Sequence, residues 1–237
     1  MVPWEAARCP GQAAPHAPTA WCEHHFDFTG AIFDGGNFST SHFRGAVDFR
    51  KARFLDGKLD LGGSKFEGEV HFGAAHFLGG TVDLGAGDFN GMVNFSHARF
   101  GGATVDFGGS RFSGGRADFE GAVFDGGRVN FRGARFLGSV VAFHIATFRS
   151  GAVDFARAEF KYGIVEFSSA NFSGGRFDFG GARFDGGTVD FGRARFDGGR
   201  VDFGGASFSV SDAVVFRGAV FGGTSFAWGL LPVPAGA

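Results

Sequence analysis

The sequence predicts an all-β solenoid, in which the chain winds into stacked coils of short strands. Three observations support this prediction: a twelve-residue repeat, an alternation of apolar and polar positions, and a strong bias toward Phe. The repeat is most regular over residues 177–208, where the large apolar residues lie alternately five and seven positions apart: Phe179, Phe184, Phe191, Phe196, Phe203 and Phe208. Fixed periods of this kind are typical of repeat proteins whose units stack on one another.

Each twelve-residue unit contains two short segments with the pattern apolar–polar–Phe, as in Ala-Arg-Phe (residues 194–196) and Val-Asp-Phe (residues 201–203). Residues two apart in an extended chain point to the same side. The small apolar residue and the Phe should therefore face inward, and the polar residue between them outward. The two residues after Phe are usually Gly or small polar, which suits a tight turn, so the chain is expected to turn a corner after each segment.

The outward positions indicate how many residues make one coil. The residue before Phe in the Ala-x-Phe segments alternates in character from unit to unit. One set is charged (Arg111, Arg135, Glu159, Arg183) and the other is mostly uncharged (Val123, Thr147, Asn171, Arg195). Residues one coil apart share a face, so a four-sided coil of mostly 24 residues fits this pattern better than a two-sided coil of twelve. About nine such coils, at the usual strand spacing, would form a rod on the order of 40 Å long.

Composition limits the classes of function. The 237 residues include 35 Phe but one Tyr, which suits a dry interior without hydroxyl groups to satisfy. The formal net charge of −2 predicts no strongly basic surface for direct binding to nucleic acid. The sequence has no apolar run long enough to span a membrane and no signal-peptide pattern, so we expect a cytoplasmic protein without a membrane partner.

Several segments resemble the pentapeptide-repeat family, whose motif is a small residue, a polar residue, a central Leu or Phe and two variable residues. They include Val-Asp-Phe-Arg-Lys (residues 47–51), Ala-Asp-Phe-Glu-Gly (residues 117–121) and Ala-Asn-Phe-Ser-Gly (residues 170–174). The resemblance covers roughly residues 28–226 and implies a right-handed, quadrilateral β-helix. The sequence departs from the family because alternate pentads carry two extra residues, which predicts wider turns at alternate corners.

The predicted domain boundaries follow the repeat: an N-terminal leader or cap over residues 1–25, the solenoid over 26–226, and a C-terminal cap or tail over 227–237. The leader contains Cys9, Cys22, His24 and His25, which are residue types that hold Zn²⁺. Their spacing lacks the close Cys-x2-Cys pair of strong zinc motifs. A metal site, a Cys9–Cys22 link and an inert cap are the alternatives; the inert cap is favoured, and no metal or cofactor is assigned.

Two stretches depart from the repeat. In residues 140–148, Ala142 replaces the usual Asp and Ile145 occupies a turn. The alternatives are local drift of the repeat, which is favoured, and an exposed apolar spot for contact with a partner. At the C-terminus, Phe226, Trp228, Leu230 and Leu231 are expected either to cap the last coil or to form a dimer patch. The resemblance implies the second option as well, because some pentapeptide-repeat proteins dimerise end to end.

The sequence contains no nucleotide-binding, zinc-protease or serine-hydrolase motif, so we expect no enzymatic activity. Asp recurs beside Phe because the repeat places a polar residue there. The resulting acidic ladder is mainly a structural feature, and it is also a predicted partner-facing surface: Asp106, Asp118, Asp154, Asp178, Asp190 and Asp202.

The favoured function is a non-enzymatic scaffold that binds a protein partner. The alternative is mimicry of DNA toward a topoisomerase such as gyrase, which the resemblance implies because some members protect gyrase from inhibitors. The many outward Arg residues and the small net charge count against mimicry. Binding to ice or another regular surface is a remote alternative, since it would favour ranks of Thr over the Asp and Arg seen here.

Overall fold

The computed structural model describes residues 24–113, 115–210 and 213–234, and within them the chain forms 33 short strands and no helix. Four strands follow one another in each coil, one on each of four faces, and every strand pairs in parallel with those of the neighbouring coils. The predicted all-β, four-sided solenoid is therefore confirmed. We number the faces 1 to 4 in the order in which the chain passes through them.

The strands of face 1 form a sheet of nine: β1 Phe26–Asp27, β5 Val47–Asp48, β9 Val70–His71, β13 Val93–Asn94, β17 Arg116–Asp118, β21 Val140–Ala142, β25 Ile164–Glu166, β28 Thr188–Asp190 and β31 Val214–Val215. Face 4 forms a sheet of eight: β4 His42–Phe43, β8 Lys65–Phe66, β12 Asp88–Phe89, β16 Arg111–Phe112, β20 Arg135–Leu137, β24 Glu159–Lys161, β27 Arg183–Asp185 and β30 Ser207–Phe208.

Faces 2 and 3 join in one larger sheet. Face 2 contains β2 Ile32–Phe33, β6 Arg53–Phe54, β10 His76–Phe77, β14 Arg99–Phe100, β18 Val123–Phe124, β22 Thr147–Phe148 and β32 Val220–Phe221. Face 3 contains β3 Gly36–Asn37, β7 Lys58–Asp60, β11 Thr81–Asp83, β15 Thr104–Asp106, β19 Arg128–Asn130, β23 Ala152–Asp154 and β33 Ser225–Ala227. The two longest strands, β26 Asn171–Asp178 and β29 Arg195–Asp202, run across both faces.

The strand register gives the coil length directly. Phe26 pairs with Val47, a step of 21 residues, and Val70 pairs with Val93, a step of 23. The step is 24 from Ala117 to Val141 and stays near that value to the end of the repeat. With nine strands on face 1 and eight on face 4, the described residues form eight full turns and the start of a ninth.

The outward positions stack as predicted for a coil of 24 residues. Arg111, Arg135, Glu159 and Arg183 pair in sequence along face 4. The other set, Val123, Thr147, Asn171 and Arg195, pairs along face 2. The alternation in the sequence therefore records two different faces of one coil, and the two-sided alternative is excluded.

The interior is filled by columns of Phe rings that run along the rod. Phe119 is fully buried, and its ring centroid lies 4.8 Å from those of Phe95 and Phe143 in the adjacent coils. Across the interior, Phe119 meets Phe131 edge-on at 5.9 Å and 89°. The spacing within a column matches the 4.7–4.9 Å between paired strands, so stacking of the backbone also stacks the rings.

Substitution of Phe119 by Ala is expected to lower the free energy of unfolding by about 3–5 kcal/mol, because it leaves a cavity between two stacked rings. Substitution by Leu should be milder, since Leu fills the same pentapeptide position at Leu61 and Leu84, both fully buried. Urea unfolding of the two variants and the wild type measures the difference. Equal destabilisation by Ala and Leu would contradict a role for side-chain volume at this position.

The extra residues of the long pentads lie at the corner between faces 2 and 3 and at the corner between faces 4 and 1. At the first of these corners, glycines lie against the backbone of the preceding coil. A Cβ built on Gly174 would overlap the carbonyl oxygen of Arg149. In β26 and β29 the chain crosses this corner as one bulged strand, with register shifts beside Ser173. The predicted wide turn is thus a bulged strand in these two coils.

Gly174→Ala should therefore destabilise the solenoid, because the added methyl group forces two backbones apart. Gly101 provides the matched control at the same corner three coils earlier: its Cβ would lie 3.6 Å from the nearest atom, an ordinary contact. We expect a clearly lower thermal midpoint for Gly174→Ala and little change for Gly101→Ala, as measured by circular dichroism. A neutral Gly174→Ala would show that the coils can separate freely at this corner.

Candidate interaction surfaces

The predicted acidic ladder is distributed over two faces. Asp106, Asp154, Asp178 and Asp202 share one column on face 3, together with Asn130. Asp118 and Asp190 lie on face 1, where Asp118 is followed in the next coil by Ala142 and Asp190 by Val215. The prediction treated these outward positions as one ladder, but residues 12 positions apart lie half a coil apart, so they form two separate surfaces.

One oxygen of each ladder carboxylate is used by the fold. The backbone N–H two residues later donates a hydrogen bond to Oδ1 in all six cases, at 2.7–3.0 Å: Asp106, Asp118, Asp154, Asp178, Asp190 and Asp202. This local bond stabilises the turn that follows each strand. The recurrence of Asp therefore has a structural cause, whether or not a partner also contacts the second oxygen.

Cationic side chains lie beside much of the face 3 column. Lys58 contacts Asp60 and Asp83 at 2.9 Å each, Arg176 contacts Asp178 at 2.7 Å, and Arg200 contacts Asp202 at 2.8 Å. Face 3 therefore presents a mixed surface of carboxylates and guanidinium or ammonium groups.

The local electrostatics of Asp202 reflect this pairing. Partial burial raises the pKa of its carboxyl, but the hydrogen bonds donated by Arg200 and by the Gly204 N–H outweigh burial. The net result is a pKa below the ordinary Asp value. The folded state therefore favours the ionised form of Asp202.

The interruption at residues 140–148 produces an apolar spot on face 1. Ala142 is fully buried, whereas Ile145 remains partly exposed at its corner. Val140 pairs with the exposed Ile164 in the next coil. Tyr162 lies at the corner just before Ile164 and is 72% exposed.

The predicted C-terminal patch divides into a cap and an exposed part. The rings of Phe226 and Trp228 stack at 4.3 Å, and Trp228 also meets Phe216 at 5.6 Å. Leu231 packs against the core, but Leu230 is 86% exposed. Phe226, Trp228 and Leu231 thus cover the end of the Phe columns, and Leu230 faces away from them.

The outward columns change in character at the last coil, a feature that was not predicted from the sequence. Val215 takes the place of Asp190, Val220 that of Arg195, and Ala227 that of Asp202. Val220 is 52% exposed, and Val210, Val215 and Val233 are also exposed. Comparison of residues one coil apart would have revealed this change, but the irregular spacing after Phe208 obscures the alignment.

Sequence comparison identifies the repeat. A profile described as pentapeptide repeats matches residues 28–76 and 88–135, with nine copies. These residues consist of pentapeptide repeats. The strand register shows that the same coils continue beyond the matched residues, to the coil that ends in β33. No curated protein matches this chain.

Solved structures with some similarity to this chain include two named proteins. Trypsin-treated QnrB1, a plasmid-mediated fluoroquinolone resistance protein, is 18% identical over 74% of this chain and 88% of its own, with a TM-score of 0.32. HetL, a pentapeptide repeat protein involved in heterocyst differentiation regulation in the cyanobacterium Nostoc, is 14% identical over 81% of this chain and 92% of its own, with a TM-score of 0.22. At these scores we base no argument on either likeness.

The proposed metal ligands are only partly described. Cys9 and Cys22 lie outside the described residues, as do the rest of residues 1–23. The His25 ring accepts a hydrogen bond at Nδ1 from the Ala46 N–H at 3.0 Å. Among the residues that the structure describes, no three His, Cys, Asp or Glu side chains are grouped to hold a metal, and no helix could span a membrane.

Arg200→Thr tests the electrostatics of face 3, with Thr already present in this column at Thr81 and Thr104. Because the pKa of Asp202 is depressed in the folded state, its ion pair stabilises the fold above the ordinary Asp pKa of about 3.9 and is lost as the pH falls through the folded value. We expect the titration midpoint of the Asp202 carboxyl, followed by carbon NMR, to rise in Arg200→Thr. Urea unfolding at neutral and acidic pH should then show that the variant loses less free energy of unfolding than the wild type as the pH falls.

Arg193→Gly is the control for this titration. It removes the same charge at the corner between faces 1 and 2, where Gly121 and Gly218 adopt the same backbone conformation. In this variant the titration midpoint of Asp202 should match that of the wild type. An unchanged titration midpoint in Arg200→Thr would contradict the ion pair between Arg200 and Asp202.

Proposed function

We propose that this protein is a non-enzymatic scaffold for protein–protein contacts, and that it forms a homodimer through its C-terminal coil. The observation that carries the proposal is the change from charged to apolar side chains in the outward columns of that coil. Asp190 and Arg195 in one coil are followed, at the same outward positions of the next coil, by Val215 and Val220. Exposed apolar groups of this kind mark interaction sites when they occur together.

The backbone at this end supports the same conclusion. β31 and β30 are the last strands of the face 1 and face 4 sheets, and β32 and β33 lie at the end of the joined sheet. A terminal strand presents unpaired N–H and C=O groups that pair readily with another chain. The cap formed by Phe226, Trp228 and Leu231 covers the Phe columns, whereas Leu230 and Val233 remain exposed beside it.

A second copy of this chain fits this surface. The patch is at one end of a rod, so a symmetric contact places the two rods end to end without a clash between their sides. A twofold contact is the commonest closed arrangement of identical chains. Outside the last coil, the four faces of both rods then remain available to other proteins.

Mimicry of DNA toward a topoisomerase is less well supported by the geometry. A DNA mimic needs a continuous row of uncompensated carboxylates. On face 3, Lys58, Arg176 and Arg200 lie against the acidic column at 2.7–2.9 Å. On face 1, Ala142 and Val215 interrupt the row. We therefore favour the scaffold.

Val215→Asp with Val220→Arg tests the dimer, because both substitutions restore the residue found one coil earlier. The double variant should fold with the wild-type circular dichroism spectrum but sediment as a monomer. The wild type should sediment with twice the 24.9 kDa chain mass. Sedimentation velocity across micromolar concentrations measures both.

Ile32→Arg is the matched control at the other end of the rod. Ile32 is 61% exposed and pairs with Arg53, so the substitution introduces the residue found at the same position of the next coil. This variant should remain dimeric. A monomeric wild type, or dissociation by Ile32→Arg but not by the double variant, would overturn the proposed dimer.

A further inference from the structure

Face 3 contains a depression of about 220 Å³ near the middle of the rod. Three guanidinium groups, two carboxylates and the methyl group of an Ala line it. We call it the Arg notch and define it by these residues: Arg128, Arg132, Ala152, Asp154, Arg176 and Asp178.

Three departures from the repeat coincide at the Arg notch. Ala152 is the smallest side chain in its column, between Arg128 and Arg176 in the adjacent coils. Asn130 replaces Asp in the acidic column, between Asp106 and Asp154. Arg132 follows in a position that holds a small residue in the other coils: Ser39, Gly62, Gly85, Gly108, Ala156, Gly180 and Gly204. Ala152 opens space, Asn130 removes a negative charge and Arg132 adds a positive one, and all three lie within two successive coils.

The charges of the Arg notch are not balanced. Arg176 is paired with Asp178 at 2.7 Å, and Asp154 accepts a bond from the Ala156 N–H. Within the described residues, neither Arg128 nor Arg132 forms an ion pair, and both side chains are exposed. Three guanidinium groups face two carboxylates, so one positive charge is uncompensated. The surroundings therefore favour the approach of one negative charge.

We propose that the Arg notch binds the carboxylate of an Asp or Glu side chain in an acidic segment of a partner protein. A planar guanidinium matches a carboxylate through two parallel hydrogen bonds. One uncompensated positive charge balances a singly charged carboxylate better than a phosphate group, which carries close to two charges at neutral pH. The methyl group of Ala152 offers an apolar contact for the methylene groups of Glu. This inference rests on the proposed scaffold function and names the class of partner.

The Arg notch is separate from the C-terminal dimer surface. Arg128 lies four coils before the last strand of its column, along the pairs that lead to Ser225. Both copies in an end-to-end dimer would therefore present an open notch. Binding at the notch and dimerisation can be measured independently on the same protein.

The test uses the full chain and a fluorescently labelled oligoglutamate peptide, with binding followed by fluorescence anisotropy. Arg128→Thr and Arg132→Gly each remove one notch guanidinium and insert a residue that already occurs in that column, at Thr104 and Gly108. We expect each to raise the Kd about tenfold, as for loss of a hydrogen bond to a charged group. Arg200→Thr, in the same column as Arg128 but outside the notch, should change the Kd less than about twofold.

Each other outcome would overturn the proposal. Equal weakening by all three variants would mean diffuse attraction to the surface, and no binding by the wild type would exclude an acidic partner. Tighter binding of a phosphoserine peptide of equal length would assign the notch to phosphate. Unchanged thermal midpoints exclude loss of fold as the cause of weaker binding. The double variant Val215→Asp with Val220→Arg should bind oligoglutamate with wild-type affinity, so a failed dimer proposal and a failed notch proposal are distinguishable.

Discussion

The match between the spacing of parallel strands and the centroid separation of offset-stacked Phe rings governs the rest of this structure. Strands separated by 4.7–4.9 Å bring the rings of one column to nearly the same separation, as for Phe77 and Phe100 at 4.9 Å. Backbone hydrogen bonds and apolar contacts therefore depend on one another along the whole rod. The nearly pure use of Phe follows, because a hydroxyl group within a column would have no partner.

This arrangement also restricts the corners and the outward positions. The coils can approach closely at the wide corner only where Gly leaves room, as at Gly174 against the carbonyl of Arg149. The outward Asp residues hold the turns through bonds to the N–H two positions later, as Asp178 does with Gly180 at 2.8 Å. Much of the regular surface is thus explained by folding, and the positions that break the regularity are the better guides to function.

Two such breaks stand out, and they differ in chemistry. At the last coil the outward columns become apolar at Val215 and Val220, which suits contact with a second copy. On face 3, Asn130, Arg132 and Ala152 together replace acidic charge and bulk with positive charge and space, which suits an acidic segment. A rod that joins at one end and binds along its side is consistent with a scaffold.

The sequence by itself determined the solenoid, its four sides and its inward and outward positions, because a fixed period places equivalent residues such as Arg135 and Glu159 in the same environment in every coil. It also indicated that the terminal Trp228 could cover the core. The tertiary structure decided which outward residues become neighbours, because those contacts join residues about 24 positions apart and the coil length varies from 21 to 25. Pairing between coils placed residues half a coil apart, such as Asp106 and Asp118, on two different faces and brought Arg128 and Arg176 to either side of Ala152. The longer step in the last coil aligned Val215 with Asp190.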